Sequence, residues 1–408
     1  MTESRKTAAF ALVSVILVLA AWAVSPRERS NPRVNERGQP FFAELTDPNT
    51  AASLEVIAYD EQASMPRPFK VQNRNGRWTI PSQYNYPADG GDRLANIAAA
   101  LIAMKKDDVA SELPADQARC QVLDPLDETL PSPKGRGVRI IVNGANDRTL
   151  ADVIVGAAVE GRPSYRYARL PGSNRTYVAR VEGLDVSTKL QDWIETNLLK
   201  VDRPEIDQIL VRNYSVSTAK NSTDGMEVVP LRKRAEDVWT IEGPDGSSAT
   251  DTFTMNLLVT RLVELTIQGV RPKPPSMTAT LTAEPGSARV SRADIDDLAA
   301  KGFFFGEGGQ PLSSYGEVLV HTSAGIFYAL RFGNLVEEAA STSDASALGR
   351  YLFISVGTDA KVDRAAADRA EVLRARFAPW YCVVSEESVR RIRLRKSELA
   401  ARKTEIKK

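Results

Sequence analysis

The reactive groups of this 408-residue chain are few: one histidine, two cysteines, and carboxylates spread along its length. A general base or nucleophile needs a partner within hydrogen-bonding distance, so the spacing of these residues limits the chemistry they can do. His321 lies in the alternating run Val318-Leu319-Val320-His321-Thr322. That pattern reads as a strand, where a hydrogen-bonded or exposed imidazole is favoured over a catalytic one. Asp294, Asp296 and Asp297 lack the glycine turn and closing glutamate of an EF-hand loop, and their clustering suits the first turn of a helix. Asp89 and Asp92 have the pairing of a glycoside hydrolase, but they stand before an apolar helical stripe and are sufficiently explained as caps. Gly306, Gly308 and Gly309 follow Phe303-Phe304-Phe305 without the Lys-Ser or Lys-Thr that closes a phosphate loop, which leaves a turn. No G-x-S-x-G elbow occurs. Trp78 and Trp239 offer rings that could stack on a sugar or peptide, yet at a repeated strand position each serves better as core. The expectation is a chain without catalytic, cofactor-binding or metal-ligating residues: not an enzyme, with no cofactor.

Composition narrows the reading further. A formal net charge of +1 provides no field to gather nucleic acid. Cys120 and Cys382 form no CxxC pair, and with a single histidine they supply no zinc site. They are expected as buried thiols, free to pair only if an oxidising compartment and their geometry allow it. Residues 8–24 are apolar apart from Ser14 and follow Arg5 and Lys6, the order of an export or insertion signal. A helix of that length reaches roughly 25 Å against a hydrocarbon core of roughly 30 Å. A single-pass anchor is expected; the alternatives are a signal peptide cleaved after Ala21-Trp22-Ala23 and a buried helix. Arg27, Arg29, Arg33 and Arg37 follow the segment, and by the positive-inside rule they oppose an outward orientation.

The elements that would position any site are duplicated. Trp78-Thr79-Ile80 reappears as Trp239-Thr240-Ile241. Before the first copy, Leu54, Val56 and Ala58 alternate with polar residues, as do Phe69 and Val71, and Asn75-Gly76 marks a turn. Ile209 with Val211, Val228 with Val229, and the turn Asp245-Gly246 repeat the arrangement. After each copy comes a helical stripe: Leu94, Ile97, Leu101 and Met104, then Leu258, Leu262 and Leu265, the second capped by Thr250 and Asp251. A further antiparallel meander is expected in each module, with Gly156 and Gly333 ending corresponding strands. Leu190, Trp193, Ile194 and Leu198 form an amphipathic stretch that stops at Pro204. Pro272, Pro274 and Pro275 predict a surface loop inserted in the second module. Residues 377–384 read as a strand or docking segment.

The fold class is therefore α+β, built as two tandem modules of antiparallel meanders each packed with a helix, plus an N-terminal transmembrane helix and a C-terminal basic helix. The expected divisions are an anchor or signal over 1–25, a flexible linker over 26–40, modules over 41–203 and 204–385, and a basic tail over 386–408. From Arg390 onward that tail carries nine basic and two acidic residues and is expected as a solvated helix that frays, with anionic lipid or an acidic partner as the alternative.

The anchor, the two strand–Trp–helix units, Leu198-Leu199 before Pro204-Glu205-Ile206, and Pro379-Trp380-Tyr381 before the basic tail together resemble the domain of unknown function 4340 family. Within residues 41–385, which the resemblance largely covers, Trp78-Thr79-Ile80, Tyr86-Pro87-Ala88-Asp89 and Gly156 carry it. The Pro-rich insertion departs from the family pattern. The resemblance implies a membrane-anchored extracytoplasmic companion of ABC-type transport systems related to gliding-motility and export machinery. The expected function is an accessory or scaffold protein of such a system, in the inner (cytoplasmic) membrane with its bulk in the periplasm, contacting permease and ATPase components. The alternative is a ligand-binding protein that recognises polysaccharide or lipid in the cleft between the repeats.

Overall fold

The computed structural model describes residues 36–89, 91–195, 197–217, 222–282, 291–305, 311–336 and 348–401. It is a mixed α+β protein of mainly antiparallel sheets and few helices. No helix among the described residues is long and apolar enough to cross a membrane, and the apolar segment 8–24 lies outside them.

The first half begins with β1 (Ser53–Asp60), β2 (Met65–Arg74), β3 (Arg77–Ile80) and β4 (Tyr86–Pro87), followed by α1 (Gly91–Ala103) and β5 (Lys106–Ser111). Strands β6 (Val138–Asn143), β7 (Thr149–Val159), β8 (Arg162–Arg169) and β9 (Thr176–Arg180) complete it. Asn75 and Gly76 turn β2 into β3 with φ of 53° and 80°, the positive values a tight hairpin turn demands. The two expected meanders are not separate, because β1 pairs with both β2 and β6: Val56 faces Phe69 on one side and Ile140 on the other. The result is one nine-stranded sheet, ordered β4-β3-β2-β1-β6-β7-β8-β9-β5.

The second half repeats this order. It runs through β10 (Ile206–Ser217), β11 (Ser222–Ala235), β12 (Val238–Ile241), β13 (Ser248–Ala249), α2 (Thr252–Val263) and β14 (Ile267–Pro272). An insertion follows, made of α3 (Pro275–Thr282), α4 (Arg292–Ala300) and the hairpin β15 (Phe303–Phe305) with β16 (Pro311–Ser313). Then come β17 (Glu317–Thr322), β18 (Ile326–Val336), β19 (Gly349–Thr358), α5 (Arg364–Phe377) and β20 (Trp380–Ser385). The sheet order is β13-β12-β11-β10-β17-β18-β19-β20-β14, position for position that of the first half. Val211 holds the place of Val56, between Val229 and Val318.

The repeat extends to single hydrogen bonds. Ala88 N–H and Thr250 N–H donate to the carbonyls of Trp78 and Trp239, and Asp89 N–H and Asp251 N–H each donate over 2.8 Å to Trp193 and Leu399. Each helix is thus led in by the tryptophan strand and by the segment that follows the last strand. Asp251 caps α2, its carboxylate accepting from Thr254 N at 2.8 Å. In each half the inner sheet face and its helix form the core: Leu94, Ile97 and Leu101 are buried on α1, and Met255, Leu258 and Leu262 on α2. Trp239 joins that core at 4% exposure, whereas Trp78 is only partly buried against it.

Several expectations need correction. Gly156 and Gly333 do not end strands; they lie inside β7 and β18, where the segment covering the outer face comes closest. The Pro-rich stretch is not a loop, because Pro275 opens α3, a first-turn position where the missing N–H costs nothing. Among the described residues of the 190–198 stretch only Leu190–Trp193 is helical, as a 3-10 turn, and Leu190, Trp193, Ile194 and Leu198 are all buried. Residues 36–40, assigned to the tether, run along the edge of β5: Gly38 N–H donates to Lys106 O, and Lys106 N–H donates to Gln39 O. The tail is not solvated as far as Ala400. Helix α6 (Glu386–Ile392) and α7 (Lys396–Leu399) dock on α2, with Val389, Ile392 and Leu399 fully buried. Residues 402–408 lie outside the described residues.

Candidate functional site

The halves meet along β14, the edge strand of the second sheet. An open edge offers unpaired N–H and C=O groups, and side chains of the first half satisfy two of them. Gln83 Oε1 accepts from Val270 N at 3.4 Å, and Gln191 Nε2 donates to Ile267 O at 3.1 Å. Around this edge the aromatic rings interlock. Trp193 is fully buried and stacks on Phe69 at 5.7 Å, while its indole N–H donates to Ser187 O at 2.9 Å. Tyr86 meets Trp380 edge to face at 5.1 Å. The Tyr328 hydroxyl donates to Leu199 O at 2.9 Å, and Arg369 on α5 pairs with Glu205 at 2.7 Å. The halves therefore share one continuous hydrophobic core.

Tyr86, Tyr328 and Cys382, three strongly perturbed groups, lie at this joint, and Lys273 and Tyr381 lie beyond it within the second half. Burial pushes the phenols of Tyr86 and Tyr328 up to about 12, and the Cys382 thiol up to about 11. Burial also pushes the Lys273 ammonium down to about 7. Its Nζ donates to Phe377 O at 3.0 Å, at the C-terminus of α5, and lies 4.1 Å from the centre of the Phe353 ring and 5.4 Å from that of Tyr381. The carbonyl, the helix dipole and the ring faces all favour the charged form that burial opposes. The Tyr381 hydroxyl bonds to Asp297 at 2.9 Å, which with burial raises its pKa strongly, and Asp297 also pairs with Lys301.

By type, a near-neutral amine beside a thiol could serve as base or nucleophile. The contacts assign Lys273 a different task. Its ammonium is spent on a carbonyl and two rings, and Cys382 is a protonated thiol at neutral pH. The cluster fastens α5, β14, β20 and α4 to one another. Its titration has a readable consequence. The folded pKa of Lys273 lies below the unfolded 10.5, so between pH 7 and 10.5 this side chain's own contribution to stability rises with pH, and from about pH 9 upward the buried Cys382 thiol and the Tyr86 and Tyr328 phenols oppose it. Relative to the wild type, Lys273→Met is expected to lower the slope of stability against pH between about pH 7 and 9 in denaturant titrations; an unchanged slope would contradict a buried, depressed lysine.

The sequence-derived candidates fall elsewhere. His321 on β17 is hydrogen-bonded to Asp207 and Asp359. Asp294 is buried as the third residue of α4, in a capping box with Ser291, and also accepts from the Ser276 hydroxyl. Asp92 is in the first turn of α1. Gly306, Gly308 and Gly309 lie outside the described residues. Cys120 and Cys382 are both buried free thiols, in different halves. Among the described residues no group of three or more His, Cys, Asp or Glu side chains is placed to hold a metal ion. Lys273, Gln83 and Gln191 were not singled out from sequence. The available signals were a lysine set between prolines and the Tyr86-Pro87 lead into α1.

The family model described as "Domain of unknown function (DUF4340)" matches residues 78–284, just over half of the chain. No curated protein and no solved structure matches it. The match runs from the first Trp-Thr-Ile through the joint between the halves into α3, and on this evidence the chain belongs to the domain of unknown function 4340 family.

Proposed function

We propose that the chain is a non-enzymatic accessory or scaffold protein of an ABC-type transport or export system. In this reading residues 8–24 anchor it in the inner membrane by a single pass, and the body stands in the periplasm or extracytoplasmic space. The observation that supports it is the joint itself: two copies of one fold are held in fixed relation by a shared apolar core. Of the strongly shifted groups, Tyr328 is engaged across the joint, and Lys273 and Tyr381 are engaged in contacts within the second half. A rigid double module presents a large surface at constant geometry, which suits work done by protein contact. Polysaccharide or lipid binding between the repeats draws no support from a joint whose rings pack on one another.

The test is affinity purification of the tagged full-length chain from detergent-solubilised membranes. Permease and ATPase subunits are expected to co-purify in stoichiometric amounts. Recovery of the intact chain from the membrane with neither subunit would contradict the reading.

A further inference from the structure

We propose that His321 is a proton-operated fastener, which ties the start of β10 to the loop before α5 when its ring is charged and loosens that tie when the ring is neutral. The argument begins with donors and acceptors. Nδ1 of His321 lies 2.8 Å from Asp207 Oδ1, and Nε2 lies 3.0 Å from Asp359 Oδ2. An ionised carboxylate only accepts, and a neutral imidazole has one N–H and one lone pair. In the neutral ring one of these contacts would therefore set a lone pair against a carboxylate. Only the imidazolium donates to both.

The connected elements give this pair its leverage. Asp207 is the second residue of β10, two past the turn Arg203–Glu205 that brings the chain from the first half into the second sheet. Asp359 follows β19, and its N–H donates to Gly325 O at 2.8 Å. Gly325 has a φ of 78°, and a Cβ there would sit 2.7 Å from Val362, so glycine lets the two loops close on each other. Four residues past Asp359, Asp363 caps α5. That helix returns to the same linker through Arg369, which pairs with Glu205 and also donates to Lys200 O. The linker and α5 are thus tied at two points. The arginine tie stays charged at every physiological pH, and the histidine tie does not.

The charged groups facing the ring are Asp207 on β10 and Asp359 on the loop; its cross-strand neighbour on β18, Phe327, is uncharged. Burial lowers the imidazole pKa, but the two carboxylates together raise it above 6.5. With the folded pKa above the unfolded one, the tie is complete below the unfolded value and is lost as pH rises through the folded value. Lys273 acts in the opposite sense over an overlapping range and bonds α5 at Phe377, so the histidine's share is read from the ring titration itself and from the difference between the wild type and His321→Gln. The inference stands independently of the transport reading.

As the only histidine, His321 can be followed without interference. The full-length chain, labelled with 15N at histidine, is titrated by NMR and by hydrogen exchange. The ring is expected to titrate above 6.5, and Asp359→Asn to bring the midpoint down. Corrected for the intrinsic rate, protection of residues 359–377 is expected to fall about two- to fivefold across the transition, a change that His321→Gln removes. The wild-type titration needs no variant to fold. A ring midpoint at or below 6.5, an unchanged midpoint in Asp359→Asn, or the same pH dependence of protection in His321→Gln would each overturn the proposal.

Discussion

Gly333→Ala is expected to cost about 3 kcal/mol or more and to shift the denaturation midpoint accordingly. A Cβ at this position would lie 2.1 Å from the Lys301 carbonyl oxygen and 2.8 Å from the Phe303 ring. The carbonyl is backbone, so it cannot rotate away. Relief requires the covering segment to lift off the outer face of β18. The first half makes the same demand, since a Cβ on Gly156 would lie 2.3 Å from Cys120 O and 2.6 Å from Gln121 O. Gly156→Ala should therefore cost a similar amount. Gly91 supplies the control: it has open space around it and lies in α1, where alanine is expected to be neutral or to stabilise by about 0.4–1 kcal/mol. Equal midpoints for Gly333→Ala, Gly156→Ala and the wild type would show that the covering segments do not pack as described.

Trp193→Ala carries the second large effect, a loss of roughly 3–5 kcal/mol measured by chemical denaturation. The indole is fully buried, stacks on Phe69, and satisfies the Ser187 carbonyl. Its own carbonyl receives the N–H of Asp89. Truncation would empty the space between α1, the first sheet and the edge strand β14, so the damage should reach the joint as well as the first core. A cost below about 1 kcal/mol would mean that the halves do not depend on this ring.

How far the sequence foretells this structure varies by element. The repeated Trp-Thr-Ile, the alternation in β1 and β10, and the stripes on α1 and α2 are local signals that place each element because one of its faces is buried, although Met104 and Leu265 lie just past the helix ends and Trp78 is only partly buried. The joining of two meanders into one sheet is not local. It depends on β1 accepting a second partner at Val56↔Ile140, which no periodicity encodes. Gly156 and Gly333 read as strand ends because glycine punctuates strands more often than it admits another backbone onto their face. Pro272, Pro274 and Pro275 read as a loop because prolines break elements, although one of them can begin a helix. The basic tail illustrates a further limit: its charge count hides Val389, Ile392 and Leu399, which anchor it to α2. At the joint, Tyr86 and Trp380 lie in segments the sequence marks, but their contact pairs residues far apart in the chain; beyond the joint, Lys273 carries no motif at all.

The central claim is that two copies of one fold are fused into a single mechanical body by the core they share. Differential scanning calorimetry of the full-length chain tests this most directly, through the ratio of calorimetric to van't Hoff enthalpy. One transition with a ratio near unity is predicted, moving as a whole to lower temperature in Trp193→Ala. Two separate transitions in the wild-type chain, one per half, would contradict it.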